Sequence, residues 1–182
     1  MMDRLFVDMD GVLANFNKGI AGIFGVPYPQ RSCLGWEWIG TQLPQLKTGM
    51  LFYDTIHQHD RLYAELEPYP WHSRLVTLLD LRFPAWEVLT NGVYSPHCWS
   101  GKVEWMTRYF GRSGLHRLTM TMGHKSREAR PGAVLIDDRR STCEEWTRRG
   151  GLAFHWRDYT PDAEDLAEAQ IQELDQFLLQ NG

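Results

Sequence analysis

Cysteine is scarce: the chain has three in 182 residues, Cys33, Cys98 and Cys143, far apart. The number is odd and the spacing fits no metal site. Neither a disulfide framework nor a zinc centre is expected, and the thiols read as reduced, in a reducing compartment. Long apolar runs are missing as well. The first of them, Leu5-Phe6-Val7, is cut by Asp8, far short of a signal segment or a membrane span. With a fold expected to start at residue 4, this predicts a soluble, cytoplasmic chain with no membrane partner. Clustered positive charge is also absent. The net charge is −4 and the pI lies near 6.0. The pairs Arg139-Arg140 and Arg148-Arg149 are too short to form a cationic surface and read as solvated helix faces. A nucleic-acid polymer is therefore not expected as a partner. There is no repeat and no low-complexity stretch.

What is present suits one α/β domain with an insertion. The hydrophobic fraction is 43%, and eight Trp offer large core side chains. Short apolar runs at Arg4–Val7, Trp86–Thr90, His116–Met122, Ala133–Ile136 and Leu152–His155 read as strands. Helical periodicity appears between them, at Val12–Phe24, Trp71–Leu81, Ser95–Phe110 and after Ser141 and Thr160-Pro161. Ser141 is expected to cap its helix. Leu166, Ala167, Ile171, Leu174, Phe177 and Leu178 are expected to form the inner face of the last one. Strands alternating with helices predict a parallel sheet of about five strands, covered on both faces. Residues 25–70 differ in texture, being rich in Pro, Gly and aromatics, with no evident strand. The expected organisation is a core of residues 1–16 and 71–182 with a small helical cap at 17–70.

In such sheets, ligands bind beyond the carboxyl ends of the strands. Three expected strands end in residues suited to phosphate chemistry. Asp8-x-Asp10 closes the first, and Gly11 permits a sharp turn that brings Asp10 back toward Asp8. A carboxylate attacks phosphorus only where the phosphate charge is neutralised, so a divalent cation is needed, and hard oxygen ligands suit Mg²⁺. A second carboxyl group in reach of the leaving oxygen supplies general acid and base. Thr90 closes the next strand, where its hydroxyl and the N–H groups of Asn91 and Gly92 are placed to bind a phosphoryl oxygen. Asp137-Asp138 closes another and completes an acidic ring. The balancing cation is Lys125, just past the third strand, or Lys102. Lys125 is preferred, because Lys102 lies inside a helix and reads as solvated.

These signals, in this order, resemble the four motifs of the haloacid dehalogenase superfamily. Asp8-Met9-Asp10-Gly11-Val12-Leu13-Ala14 is similar to the first, Thr90 to the second, Lys125 to the third and Leu135-Ile136-Asp137-Asp138-Arg139 to the fourth. Adding Phe16, Leu66–Pro70, Trp146 and Gly150-Gly151, the chain is similar to the 5′(3′)-deoxyribonucleotidase family. It departs in carrying Thr90-Asn91-Gly92 where that family commonly has Thr-Ser. The resemblance implies a Rossmann-like core with a cap between the first two motifs. It implies Asp8 as nucleophile, Asp10 as acid and base, and Mg²⁺ held by Asp8, the carbonyl of Asp10 and a fourth-motif Asp, Asp138 rather than Asp137. Phe16 matches a substrate-contacting position.

The implied activity is Mg²⁺-dependent hydrolysis of nucleoside monophosphates, with pyrimidine deoxyribonucleotides as the expected substrates, as a monomer or homodimer acting on a small-molecule phosphate ester. Trp38 and Phe52 are candidates to stack on the base, with Trp36 and Tyr53 as their neighbours; the competing reading makes all four the cap's own core. His57 and His59 read as surface histidines. The alternatives are a phosphatase of another small ester such as a sugar phosphate, a non-catalytic phosphate- or metal-binding regulator, and nucleic-acid end repair.

Overall fold

Strand side chains alternate between two buried faces. Phe6, Leu89, Ala133 and Leu135 pack with Trp146 on one side, and Leu5, Val7, Val88, Val134 and Ile136 pack with Trp71, Leu75, Trp105, Trp156 and Leu174 on the other. Successive strand residues leave by opposite faces, so a sheet covered on both sides is apolar throughout. The computed structural model describes residues 1–34, 38, 54–56 and 58–182. Five parallel strands, β1 (Arg4–Val7), β3 (Glu87–Asn91), β4 (Leu118–Thr121), β5 (Ala133–Asp137) and β6 (Leu152–His155), lie in the order β4-β3-β1-β5-β6. The chain leaves β1 for β3 and β4 on one side, then returns to β5 and β6 on the other. That reversal beside β1 is where open α/β sheets hold ligands. Among the described helices, none is long and apolar enough to cross a membrane.

The helices around the sheet are α1 (Phe16–Phe24), α2 (Leu62–Glu65), α3 (His72–Arg82), α4 (Pro96–Phe110), α5 (Arg140–Arg148) and α6 (Glu164–Asn181). Helix α1 starts four residues later than its periodicity indicates. Gly11 takes φ +79°, residues 11–13 form a turn, and Asn15 caps the helix by accepting from the Lys18 N–H at 3.0 Å. Ser141 is not a cap, because α5 begins a residue earlier and the Arg139 N–H is taken at 2.9 Å by the Asp137 side chain. On α6 the inner stripe is Ala167, Gln170, Ile171, Leu174 and Leu178, and Leu166 is exposed.

Residues 25–70 do contain a strand. β2 (Cys33–Leu34) pairs antiparallel with β7 (Asp158–Tyr159). Two residues carry too little alternation to be read from sequence, and their partner lies more than a hundred positions away. At the other end of this region, α2 is clamped onto α4. The Trp105 indole donates to the Leu66 carbonyl at 2.9 Å, and Arg108 donates to the Ala64 carbonyl at 2.7 Å. A Cβ on Gly101 would come within 2.8 Å of Tyr63 and 2.9 Å of the Ala64 nitrogen, so glycine is what lets the two helices touch. Trp36, Phe52, Tyr53 and His57 lie outside the described residues.

Candidate active site

The sheet register brings three acidic or hydroxyl-bearing strand ends together. Val7 is level with Ile136 on one side and Val88 on the other. Asp8 therefore emerges beside Asp137, and Asp10 returns toward Thr90 through the Gly11 turn. Asp8 is 6% exposed. Its Oδ1 accepts from the Met9 N–H at 2.7 Å, and its Oδ2 meets Lys125 Nζ at 2.6 Å. Lys125 also meets Asp137 Oδ2 at 2.7 Å. Burial works against the Lys125 ammonium, but Asp137 and Asp8 outweigh it and hold its pKa above the usual lysine value. Burial and the Asp8 charge, set against Lys125, push Asp137 up to about 6.

Asp8, Asp137 and Asp138 each offer a carboxylate oxygen within 4.8 Å of the others. Both oxygens of Asp137 are already engaged, one by Lys125 and one by the Arg139 N–H. Enclosure, followed by the charges of Asp137, Asp8 and Asp158, pushes the Asp138 carboxyl well above its ordinary range. A pocket that crowds three acids around one buried lysine fits a divalent cation, and an all-oxygen donor set fits a hard one. A Cβ on Gly11 would come within 2.5 Å of Asp138 Oδ2. Glycine there serves two needs, the positive φ and the close approach of this carboxylate.

A second buried lysine stands on the other flank. Lys102, 1% exposed, donates to Asp10 Oδ2 at 2.6 Å, to Thr90 Oγ1 at 2.6 Å and to the Asn91 carbonyl at 2.9 Å. Its ammonium also lies 5.4 Å from the Tyr63 ring centre. The solvated reading of Lys102 is thus wrong. The signal was available, since Cys98, Gly101, Lys102, Trp105 and Met106 are all buried and share the inner stripe of α4.

Two recesses that share wall residues lie at these side chains. The inner one, about 40 Å³, is lined by Asp8, Asp10, Thr90, Lys125 and Asp138, with Asn17, Arg139 and Thr142 among the other walls. The outer one, about 400 Å³, shares Asp10, Phe16, Asn91 and Arg139 with it and adds Ile56, Tyr63, Val93, Tyr94 and Met122. Phe16 stacks on Tyr63, with ring centres 5.8 Å apart. The inner recess admits a group of a few atoms. The outer one has the size and mixed lining of an ordinary small-molecule site.

Sequence reasoning placed Asp8, Asp10, Phe16, Thr90, Asn91, Lys125 and Asp138 here, and the structure brings all of them to these walls. It corrects three other assignments. The Gly92 N–H donates to the Thr121 carbonyl at 2.8 Å and is not free for a phosphoryl oxygen; Gly92 instead forms wall of the outer recess, where a Cβ would strike Trp99 at 2.4 Å. Trp38 lines neither recess. It is buried, donates from its indole to Asn17 Oδ1 at 2.6 Å, and so acts on the inner wall through Asn17. Arg139 is a wall residue of both recesses and not part of a solvated face. Its place right after Asp138 at a strand end was the clue. Phe52 lies outside the described residues.

Behind Asn17 is a third buried acid. Asp158 receives the amide of Asn17 and the hydroxyl of Tyr69. Burial raises it to about 7 in spite of these two donors.

No family model matches the chain. The human mitochondrial 5′(3′)-deoxyribonucleotidase is 28% identical over 144 residues, which is 75% of this chain and 62% of that protein. The chain thus spans less than two thirds of the curated relatives it matches. Among solved structures, a haloacid dehalogenase-like hydrolase from Streptococcus pneumoniae superposes with a TM-score of 0.57 at 14% identity, covering 97% of this chain and 98% of that one. A family enzyme from Bacteroides thetaiotaomicron, in a magnesium complex, superposes with a TM-score of 0.50 at 15% identity over 86% of this chain and 94% of that one.

Proposed function

Taking as premise that this chain has the fold of the haloacid dehalogenase superfamily and resembles its deoxyribonucleotidases, we propose that it hydrolyses nucleoside monophosphates through an aspartyl phosphate on Asp8. One observation carries the reading. Asp8, Asp10, Thr90, Lys125 and Asp138 meet around an inner recess of about 40 Å³, which shares Asp10, Phe16, Asn91 and Arg139 with a partly aromatic one of about 400 Å³. The phosphoryl group takes the inner recess and the nucleoside the outer, against Phe16, Tyr63 and Tyr94. Asp8 attacks phosphorus, Asp10 protonates the leaving oxygen, and water then releases phosphate from Asp8. Thr90 and Lys125 hold the phosphoryl oxygens.

Asp8, Asp138 and the carbonyl of Asp10 would hold Mg²⁺, as the magnesium complex of the Bacteroides enzyme and the three-carboxylate cluster here support. Bound there, the ion would offset the charge of the phosphoryl oxygens. Residues 17–70 act as a cap that closes the outer recess over the core formed by 1–16 and 71–182, excluding water.

The test is phosphate release from a panel of nucleoside monophosphates and sugar phosphates, with Mg²⁺ or with EDTA, for wild type and Asp8→Asn. Nucleotides should lead, and EDTA and Asp8→Asn should each cost at least about 1,000-fold. A sugar phosphate in the lead would leave the chemistry standing and remove the nucleoside. Release that survives Asp8→Asn would sink the aspartyl phosphate.

A further inference from the structure

Asn17 is out of character with its helix. The other residues that α1 buries are Phe16, Ile20 and Ala21, yet Asn17 is only 5% exposed. A carboxamide in such a place needs partners, and it has two. The Trp38 indole donates to its Oδ1 at 2.6 Å, and its Nδ2 donates to Asp158. An indole N–H only donates, so the carbonyl oxygen of Asn17 faces Trp38 and the NH₂ group faces Asp158. That group carries two N–H bonds, and Asp158 is its one acceptor among the described residues. Asn17 is also a wall of the inner recess, which admits a group of a few atoms.

Resting on the phosphatase reading above, we propose that Asn17 binds the substrate: its second amide N–H donates to a phosphoryl oxygen in the inner recess, with the amide held in that sense by Trp38. Thr90 and Lys125 reach this recess from β3 and from the turn after β4. Asn17 reaches it from the first turn of α1, a separate element. The donor is neutral, so it adds to the hold on the phosphoryl group without cancelling the acidic charge that favours Mg²⁺.

Trp38 and Asp158 are positioning residues in this scheme. Trp38 claims the amide oxygen and Asp158 claims one amide hydrogen, which leaves the other hydrogen for the recess. Satisfied buried networks of this kind fix the orientation of their members. The three side chains come from distant parts of the chain, so the donor is aimed only where residue 38, α1 and β7 pack together.

Equilibrium binding separates this role from a merely structural one. Two constants are read by titration calorimetry: Kd for Mg²⁺ alone, and Kd for inorganic phosphate at saturating Mg²⁺. Asn17→Ala should weaken phosphate about 10- to 100-fold, the range for one hydrogen bond to a charged group, and leave Mg²⁺ binding unchanged. Trp38→Phe keeps a ring but drops the indole N–H, so the amide is free to turn over. It should weaken phosphate by less than Asn17→Ala, and added to Asn17→Ala it should weaken phosphate no further. An unfolded fraction lowers the measured stoichiometry and leaves both constants alone. Should Asn17→Ala fail to fold, Trp38→Phe carries the test, and a phosphate affinity equal to that of wild type would overturn the proposal. Unchanged phosphate binding in Asn17→Ala, or equal losses of phosphate and Mg²⁺, would overturn the role of Asn17 while leaving the phosphatase reading intact. A wild type that binds no phosphate would overturn this inference alone; one that also releases none from the ester panel would take the phosphatase reading with it.

Discussion

Lys125 and Lys102 are both buried lysines at the carboxyl edge of the sheet, but they stand in different company. Lys125 comes from the short 3₁₀ turn Lys125–Glu128 after β4 and touches two carboxylates, Asp8 and Asp137, with Asp138 close behind. Lys102 comes from the middle of α4 and touches one carboxylate and two neutral oxygens. On the first flank acid exceeds base, and the cation balances charge. On the second, charges match one to one, and the cation sets geometry. Asp158 is the contrasting case, a buried acid met by the neutral donors Asn17 and Tyr69, and its carboxyl rises to about 7. A buried carboxylate is held ionised by a cation, whereas neutral donors only soften the cost of burying its charge.

The comparison can be broken most sharply at Lys125. Lys125→Met leaves Asp8 and Asp137 buried without their counter-charge, which should cost about 3–5 kcal/mol of stability. In denaturant unfolding Lys125→Met should lose more than Lys102→Met, and a reversed order would undo the division of roles. Activity should fall as well, because Lys125 lines the inner recess.

A smaller effect tests the surplus of acid. Mg²⁺ at about 100 times its dissociation constant should stabilise the wild type by about 2.7 kcal/mol, seen as a rise in melting temperature. Asp138→Asn should lose most of that rise. If Mg²⁺ leaves the wild-type melting curve unmoved, the metal half of the reading falls.

The third effect concerns Asp158. Its folded-state pKa of about 7 exceeds the ordinary 3.8. Between those values the folded chain holds a proton that the unfolded chain has released, so stability falls as pH rises through that window and stays low above it. The loss should be on the order of a few kcal/mol. Asp158→Asn should flatten the fall, measured as denaturant midpoints from pH 4 to 8 in EDTA. Part of the slope should remain in both proteins, because Asp137 sits at about 6. Identical slopes would show that Asp158 is solvated or paired with a cation.

Much of this was legible in the chain itself. Apolar runs of four or five residues announced the strands, and Asp8-x-Asp10-Gly11, Thr90 and Asp137-Asp138 announced the edge, because strand ends are local features. Lys102 was legible in principle from its place in the α4 stripe, but its partners Asp10, Thr90 and Asn91 were not, since a helix period says which face is inward and not what it meets. Trp38 stayed open between two readings for a related reason: an aromatic that a nucleobase could stack on and one that donates to Asn17 look the same in sequence. The β2–β7 pairing, set between Leu34 and Asp158, has no local signature at all.

By itself, then, the sequence determined the alternation of strand and helix, the acids at the strand ends, and the glycine turn after Asp10. These follow from side-chain period and backbone sterics over a few residues. Only the tertiary structure decided which lysine serves which acid, that Gly92 spends its N–H on Thr121, and that Asp158 is buried against Asn17 and Tyr69. Those outcomes depend on register and packing between segments far apart in the chain, where geometry selects among donors and acceptors that the sequence leaves equivalent.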